Sequence, residues 1–180
     1  MIQNSFLALI EQSIRNNWEK PALTELQGET IYYKDFAREI DKLHDIFKAG
    51  GVKRGDKIAL CGKNSANWAI TFFATLSYGA VSVSILNEFD KDSIEFIVDH
   101  SDSKILFTDQ KIWEKLDSKS MPKLEDVISL DDFSLLKSDS EELQSFVANA
   151  TTYFAKKYDK GFFVNDVAFR TDKPEELAVI

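Results

Sequence analysis

From Lys57 to Leu130, short β-branched or apolar runs alternate with stretches of helical period, and this restricts the fold more than any other feature of the chain. Lys57-Ile58-Ala59-Leu60-Cys61, Ala80 to Ile85, Lys104 to Thr108 and Val127 to Leu130 read as strands. Between the first three lie Ala66 to Tyr78 and Asp90 to Ser101, which read as helices, and a short helix is expected over Gln110 to Leu116. Strands separated by helices cannot be joined as hairpins. They need crossover connections, and a parallel sheet must be covered by those helices. The fold class expected is therefore α/β, a mostly parallel sheet flanked by helices.

The N-terminal third adds different elements. Ser5 to Asn16 reads as an amphipathic helix presenting Phe6, Leu9, Ile10 and Ile14. Ala22 to Leu26 and Thr30 to Tyr33 read as an N-terminal β-hairpin turning at Gln27-Gly28-Glu29, where Gly28 can take a positive φ. Lys34 to Ala49 is the clearest helix: Phe36, Ile40, Leu43 and Phe47 form a core stripe, and Gly50-Gly51 stops it. The Ala66 to Tyr78 helix, capped by Asn64 or Ser65, is apolar almost all round and so is buried on more than one side. Glu141 to Tyr158 reads as one helix carrying Leu143, Phe146, Val147, Ala150 and Phe154 on one face. Leu177-Ala178-Val179-Ile180 looks like a strand cut short, and no internal repeat is visible.

Composition removes several function classes. The 180 residues, 44% hydrophobic and 29% charged, suit one globular domain with at most a small appendage. The net charge is −8, which repels phosphate backbones and argues against nucleic acid as a partner. Glu88 to Glu142 holds 16 acidic and 7 basic residues, a net −9, most simply a solvated acidic face. Cys61 is the single cysteine and there are two histidines, so neither an internal disulfide nor a zinc cluster can form. The apolar stretch Phe6 to Ile10 is too short for a signal core or a transmembrane segment, and a cytoplasmic protein is expected.

Catalytic signatures are missing. There is no G-x-S-x-G, H-E-x-x-H, Walker or G-x-G-x-x-G pattern. Gly50, Gly51 and Gly55 follow a helix rather than a strand and read as a stop and a turn. His44 and His100 read as structural, and Cys61 as a packing thiol at the end of a buried strand. No catalytic, cofactor-binding or metal-binding residue is assigned.

The order of the segments nevertheless resembles a family. Thr30-Ile31-Tyr32-Tyr33-Lys34-Asp35-Phe36, Gly51-Val52-Lys53-Arg54-Gly55-Asp56-Lys57-Ile58-Ala59-Leu60, Gly62-Lys63-Asn64-Ser65-Ala66-Asn67-Trp68, Tyr78-Gly79-Ala80-Val81-Ser82-Val83 and His100 to Phe107 are similar, in order and spacing, to pieces of the AMP-forming acyl-CoA synthetases of the adenylate-forming superfamily. The Lys63 to Trp68 piece looks most like the long-chain fatty acid branch. Two departures stand out: Tyr32 occupies a position where the family often has a Thr cap, and Ser84 or Ile85 replaces the usual Pro after the Val-x-Val strand.

The resemblance implies that residues 1–180 are the N-terminal segment of an AMP-binding domain, ending just before the Ser/Thr/Gly-rich loop that grips nucleotide. It implies ATP, Mg²⁺, coenzyme A and a fatty acid for the parent enzyme, with the remainder of the ligase chain as partner, and no cofactor bound by this segment alone. The helix bearing Trp68, Phe72 and Phe73 is a candidate to pack near the acyl pocket, against the simpler reading that it is core. Such a segment would expose a sheet edge through which copies can associate. The alternative is a free-standing, non-catalytic α/β protein-interaction module. A flavodoxin-like binder of a phosphate-bearing cofactor, using the loops at Gly62 to Ser65 and Ser84 to Asn87, is the third reading.

Overall fold

The computed structural model describes residues 5–26, 28–169 and 177–180. The elements are α1 (Phe6–Asn16), β1 (Pro21–Thr24), β2 (Thr30–Tyr32), α2 (Tyr33–Ala49), β3 (Lys57–Cys61), α3 (Ala66–Tyr78), β4 (Val81–Ile85), α4 (Lys91–His100), β5 (Ile105–Thr108), α5 (Gln110–Trp113), β6 (Asp126–Ser129), β7 (Leu135–Lys137), α6 (Glu141–Ala148) and α7 (Ala150–Lys157). The main sheet runs β4-β3-β5-β6-β7, parallel except for β7, and β1-β2 form a separate antiparallel hairpin. The α/β class, the helix-flanked parallel sheet and the hairpin are as the sequence predicts.

Side-chain alternation along the strands divides the core in two. Ile58, Leu60, Ile105, Phe107 and Ile128 face α2 and α3, and pack on Ile40, Leu43, Phe47 and Ile70. Ala59, Cys61, Val83, Leu106 and Val127 face the other way, onto Ile94 and Val98 of α4 and Met121 and Leu124 beyond α5. The predicted stripe of α2 is buried in full, joined by Ala37 and Ile46. Tyr32 is the N-cap of α2 and makes no side-chain cap bond. The orphan helix donors are instead met by backbone: Tyr33 N–H bonds Lys20 O at 3.0 Å and Lys34 N–H bonds Trp18 O at 3.1 Å. The missing hydroxyl cap is thus replaced by the turn that follows α1.

Three expectations need correction, and one element is new. The buried face of α1 holds Leu7 and Ile14, with Ile10 half-buried, whereas Phe6 and Leu9 are exposed. Residues 7, 10 and 14 share the period of the chosen set, so the pattern fitted two faces and packing selected the other. The hairpin turn is tightened at Gly28 by close approach: a Cβ there would lie 2.6 Å from Glu25 Cβ; Gln27 lies outside the described residues. The 141–158 helix is broken at Asn149 (φ −120°, ψ 13°) into α6 and α7. Asn149 Nδ2 donates to the Ser145 carbonyl at 2.8 Å, which closes α6, and the bend brings Lys157 onto α2. Lys157 Nζ lies 2.7 Å from Asp41 and 2.8 Å from Asp45. Burial alone would lower this ammonium, but the bonds to both carboxylates hold it above its ordinary range. Finally, β7 is an antiparallel edge strand of three residues that the sequence does not announce.

Residues 177–180 run parallel to the outer side of β4: Ser82 N–H bonds Ala178 O, and Ile180 N–H bonds Ser82 O, both at 2.9 Å. The terminal apolar run is therefore strand-like, as expected, and adds to the sheet beyond β4. Among the described residues no helix is long and apolar enough to cross a membrane.

Candidate functional site

Strand order fixes where a cleft can form. From β3 the chain passes to β4 on one side, then crosses to β5 on the other. The loops leaving β3 and β5 thus diverge to opposite faces, and the carboxyl ends of these two strands mark the switch point where open α/β sheets place ligands. An open cleft of about 680 Å³ lies there, lined by Lys63, Asn64 and Ser65 after β3 and by Asp109, Lys111 and Ile112 after β5.

The floor of the cleft is closely fitted. Gly62 follows β3 directly; a Cβ at this position would meet Leu130 Cδ1 at 2.3 Å and Asp109 Oδ1 at 3.0 Å. The glycine is there because β6 and the β5 loop press on its backbone. Asn67 Nδ2 donates to Leu130 O at 2.8 Å and Asp131 O at 3.2 Å, tying α3 to the end of β6. Ser65 caps α3 by accepting from Trp68 N–H at 3.1 Å, which settles the choice between Asn64 and Ser65.

The backbone donors of this loop already hold anions. Lys63 N–H donates to Asp109 Oδ2 at 3.2 Å. Ala66 N–H, at the first turn of α3, donates to Glu25 Oε1, which reaches across from the hairpin loop. In a phosphate-binding loop these positions would be turned toward the ligand. Here two of the chain's own carboxylates take them, and Glu25, Asp109 and Asp131 offset Lys63, Lys111 and Lys115 around the rim. Among the described residues no group of three or more His, Cys, Asp or Glu could hold a metal ion. The Lys63 and Ala66 amides are therefore not turned toward a phosphate, and the flavodoxin-like reading loses the Gly62 to Ser65 loop of its two.

Removing the Glu25 clamp leaves the Ala66 N–H without its partner and uncouples the hairpin from α3. Glu25→Ala is expected to cost about 1–2 kcal/mol, as for loss of a helix cap, with Glu25→Gln costing less because it keeps an acceptor. Urea denaturation of both variants checks this; equal stability of Glu25→Ala and the parent chain would remove the clamp from the account.

Of the residues singled out by sequence, Lys63, Asn64, Ser65 and Asn87 line the cleft, and the others lie elsewhere. Trp68 stacks on Phe72 (5.5 Å, 11°), Phe72 meets Phe73 edge-on, and Phe73 stacks on Phe6 and meets Phe36 edge-on. These rings bind α3 to α1 and α2, and none of them lines the cleft. His44 Nε2 sits 2.8 Å from Ser77 Oγ and 3.2 Å from Ala74 O, joining α2 to α3. His100 stacks on Phe96. Much of the acidic span is at work within the fold: Asp90 caps α4, Glu95 accepts the Asp117 N–H at 2.5 Å, and Asp102 pairs with Lys123. Glu25 and Asp109 were missed because both act through space, 41 and 46 residues from the amides they hold.

The five family-like pieces fall on junctions: β2 into α2, the turn into β3, β3 into α3, α3 into β4, and α4 into β5. The model of AMP-binding enzymes matches residues 10–180. The chain belongs to the AMP-binding enzyme family. It is 33% identical over 92 residues to long chain acyl-CoA synthetase 3 of Arabidopsis thaliana, covering 51% of this chain and 14% of that protein. Over 150 residues it is 21% identical to fatty acyl-CoA synthetase A of Dictyostelium discoideum, covering 83% and 22%. Among solved structures it matches a long-chain-fatty-acid-CoA ligase from Archaeoglobus fulgidus with TM-score 0.69 and 17% identity, covering 98% of this chain and 34% of that one. Coronafacic acid ligase from Pectobacterium brasiliense matches with TM-score 0.69 and 19% identity, covering 95% and 33%. These structural likenesses show a shared fold. The chain thus spans 14% and 22% of the length of these two curated relatives, and about a third of each solved ligase.

Proposed function

We propose that this chain is the N-terminal segment of an ATP-dependent fatty acid–CoA ligase of the long-chain type, and that alone it does not catalyse adenylation. The observation that carries this is the family match across residues 10–180 in a chain spanning only 14% of a long-chain synthetase. The fold supports it: residues 177–180 run parallel to β4, so Ile180 emerges at the same edge as the loops after β3 and β5. A Ser/Thr/Gly-rich loop following Ile180 would begin beside the cleft.

In the parent enzyme a fatty carboxylate would attack the α-phosphate of ATP, releasing pyrophosphate, and the coenzyme A thiol would then displace AMP from the acyl-adenylate. Mg²⁺ would offset phosphate charge there. This chain's own residues contribute a rigid wall: Glu25, Asp109 and Asn67 fix the loop after β3, while Gly62 lets β6 close on it.

The test is ATP–pyrophosphate exchange with the purified 180-residue chain, Mg²⁺ and palmitate, beside sequencing of the gene past the Ile180 codon. Exchange no faster than a protein-free blank, and a frame continuing into a Ser/Thr/Gly-rich loop, are the expected results. Chain-dependent exchange overturns the inactivity. A frame lacking such a loop overturns the segment assignment.

A further inference from the structure

At the amino edge of the main sheet three chain segments meet. β6 begins there at Asp126, β7, running antiparallel, ends there at Lys137, and α2 ends there at Ala49. Between them lies an open cavity of about 670 Å³, within the size range of small-molecule sites. Its lining falls within residues 49–51, 118–126 and 137–140, which are described throughout. It is at the opposite end of the strands from the cleft and from Ile180. Met121, Pro122 and Leu124 give it an apolar side.

Asp126 is the charged group there without a counter-charge. The residue is only 3% exposed, yet it lines the cavity. The Ser138 hydroxyl is the side chain that bonds it. Among the described residues no ammonium or guanidinium lies within 4.0 Å of it. Lys137 is engaged elsewhere: its Nζ bonds Leu124 O at 3.3 Å and Glu125 O at 3.0 Å, and sits 4.0 Å from Asp139. The end of α2 supplies no donor. A Cβ at Gly50 would lie 3.7 Å from Asp126 Oδ2, so the helix end abuts the carboxylate. The N–H groups of Gly50, Gly51 and Val52, however, all bond carbonyls of α2. A helix C-terminus also carries negative partial charge, which deepens the deficit. Buried charges are as a rule paired. Here burial raises the Asp126 carboxyl above its ordinary range, by more than Ser138 and Lys137 lower it.

We infer that this cavity is a binding site for a small aliphatic amine, its ammonium paired with Asp126 and its hydrocarbon lying along Met121, Pro122 and Leu124. Lys119 and Lys137 also line the cavity, but Glu125 and Asp139 offset them, which leaves Asp126 as the unbalanced charge. An anion would meet that carboxylate and the negative end of α2. A neutral molecule would leave the carboxylate unpaired. Among the described residues no group of three or more His, Cys, Asp or Glu could hold a metal ion there. One ion pair and a short chain make a weak complex, with Kd on the order of 1 mM.

Amide NMR titration of the isotope-labelled chain with n-hexylammonium, up to ~20 mM, tests the inference, beside n-hexanol as the uncharged counterpart. Saturable shifts at Gly50, Gly51 and Asp126 with the amine, and none with the alcohol, are the expected result. Asp126→Asn keeps the shape and an acceptor for Ser138 but removes the charge, and should weaken binding at least tenfold. Asp139→Lys changes a side chain that is 98% exposed, so the fold tolerates it; a cation at the rim should weaken binding several-fold even where Asp126→Asn fails to fold. Absence of shifts at these amides, equal shifts with hexanol, or an affinity that a folded variant leaves unchanged overturns the inference. Tighter binding of Nα-acetyl-lysine methylamide than of hexylammonium would give the site to a protein side chain and overturn the small-molecule assignment. The cavity and the ligase reading stand apart: a silent titration leaves the ligase reading intact, and pyrophosphate exchange by the isolated chain leaves the cavity intact.

Discussion

Phe107→Ala is expected to lower the stability of the chain by about 3–5 kcal/mol, the cost of emptying a fully buried aromatic site. Phe107 has no exposed surface and sits on β5, which is hydrogen-bonded to β3 on one side and β6 on the other. Its ring meets Phe47 of α2 edge-on at 5.9 Å and Phe133 of the β6–β7 turn at 6.4 Å. Neighbouring strands on both flanks prevent the backbone from collapsing into the space, so the cavity term is added to the lost transfer free energy. A chain of this size has about 5–15 kcal/mol to lose, which makes the variant marginal. Its thermal midpoint should drop by roughly 10–15 °C. Phe96→Ala is the control: that ring is 65% exposed on α4, and its removal should stay within about 0.5 kcal/mol. Urea unfolding of the two variants checks the pair, and a loss under 1 kcal/mol for Phe107→Ala would take β5 out of the centre of the sheet.

The contrast between these rings shows what a periodic pattern can and cannot tell. The α2 stripe was legible because its apolar positions lie on one face and polar residues occupy the rest. In α1 Phe6, Leu7, Leu9 and Ile10 are all apolar, so two faces fitted equally and only the docking on α2 chose Leu7. The strands from β3 to β6 were legible because parallel strands covered on both faces are apolar throughout. β7 was not, because three half-buried residues leave no period to read. The break at Asn149 was hidden for a related reason: no glycine or proline marks it, and the bend is set by where α7 meets Asp41 and Asp45.

The cleft was less legible than the fold. Its position follows from strand order, which sequence supplies only as a class of topologies. Its chemistry depends on Glu25 and Asp109, two among 30 acidic residues, selected by distances that no spacing encodes. The loop at Gly62 to Ser65 looked open to phosphate for want of that information. At Gly62 the lack of a side chain admits Leu130, a contact that no sequence pattern marks.

Cys61 offers a direct reading of how firmly the strand beneath this cleft is held. Its thiol is fully buried at the end of β3, and burial first, with the charges of Asp109 and Glu88 adding to it, pushes its pKa up to about 12. At pH 8 an unfolded thiol with a pKa near 9 carries about a thousandfold more thiolate than this one. Because the thiolate is the reactive form, disulfide-exchange labelling of the native chain should be slower by at least ~10³ than in denaturant. The backbone of Cys61 is paired with Ile85 of β4 and Thr108 of β5, so reaching the sulfur requires β3 to separate from a neighbour. Labelling is therefore expected to track global unfolding and to accelerate in Phe107→Ala in proportion to the stability lost. The sign of the pH dependence follows from the same shift. The native state holds the thiol proton more tightly, so the stabilisation is complete below the unfolded pKa near 9. It declines, by up to ~1.4 kcal/mol per pH unit from this group, as pH rises toward about 12. Cys61→Ala should lack that part of the alkaline loss and keep the rest, which belongs to other groups. Labelling complete within seconds at pH 8, with native far-UV circular dichroism, would mean that the carboxyl end of β3 is open and that the clamp by Glu25 and Asp109 does not hold the loop above it.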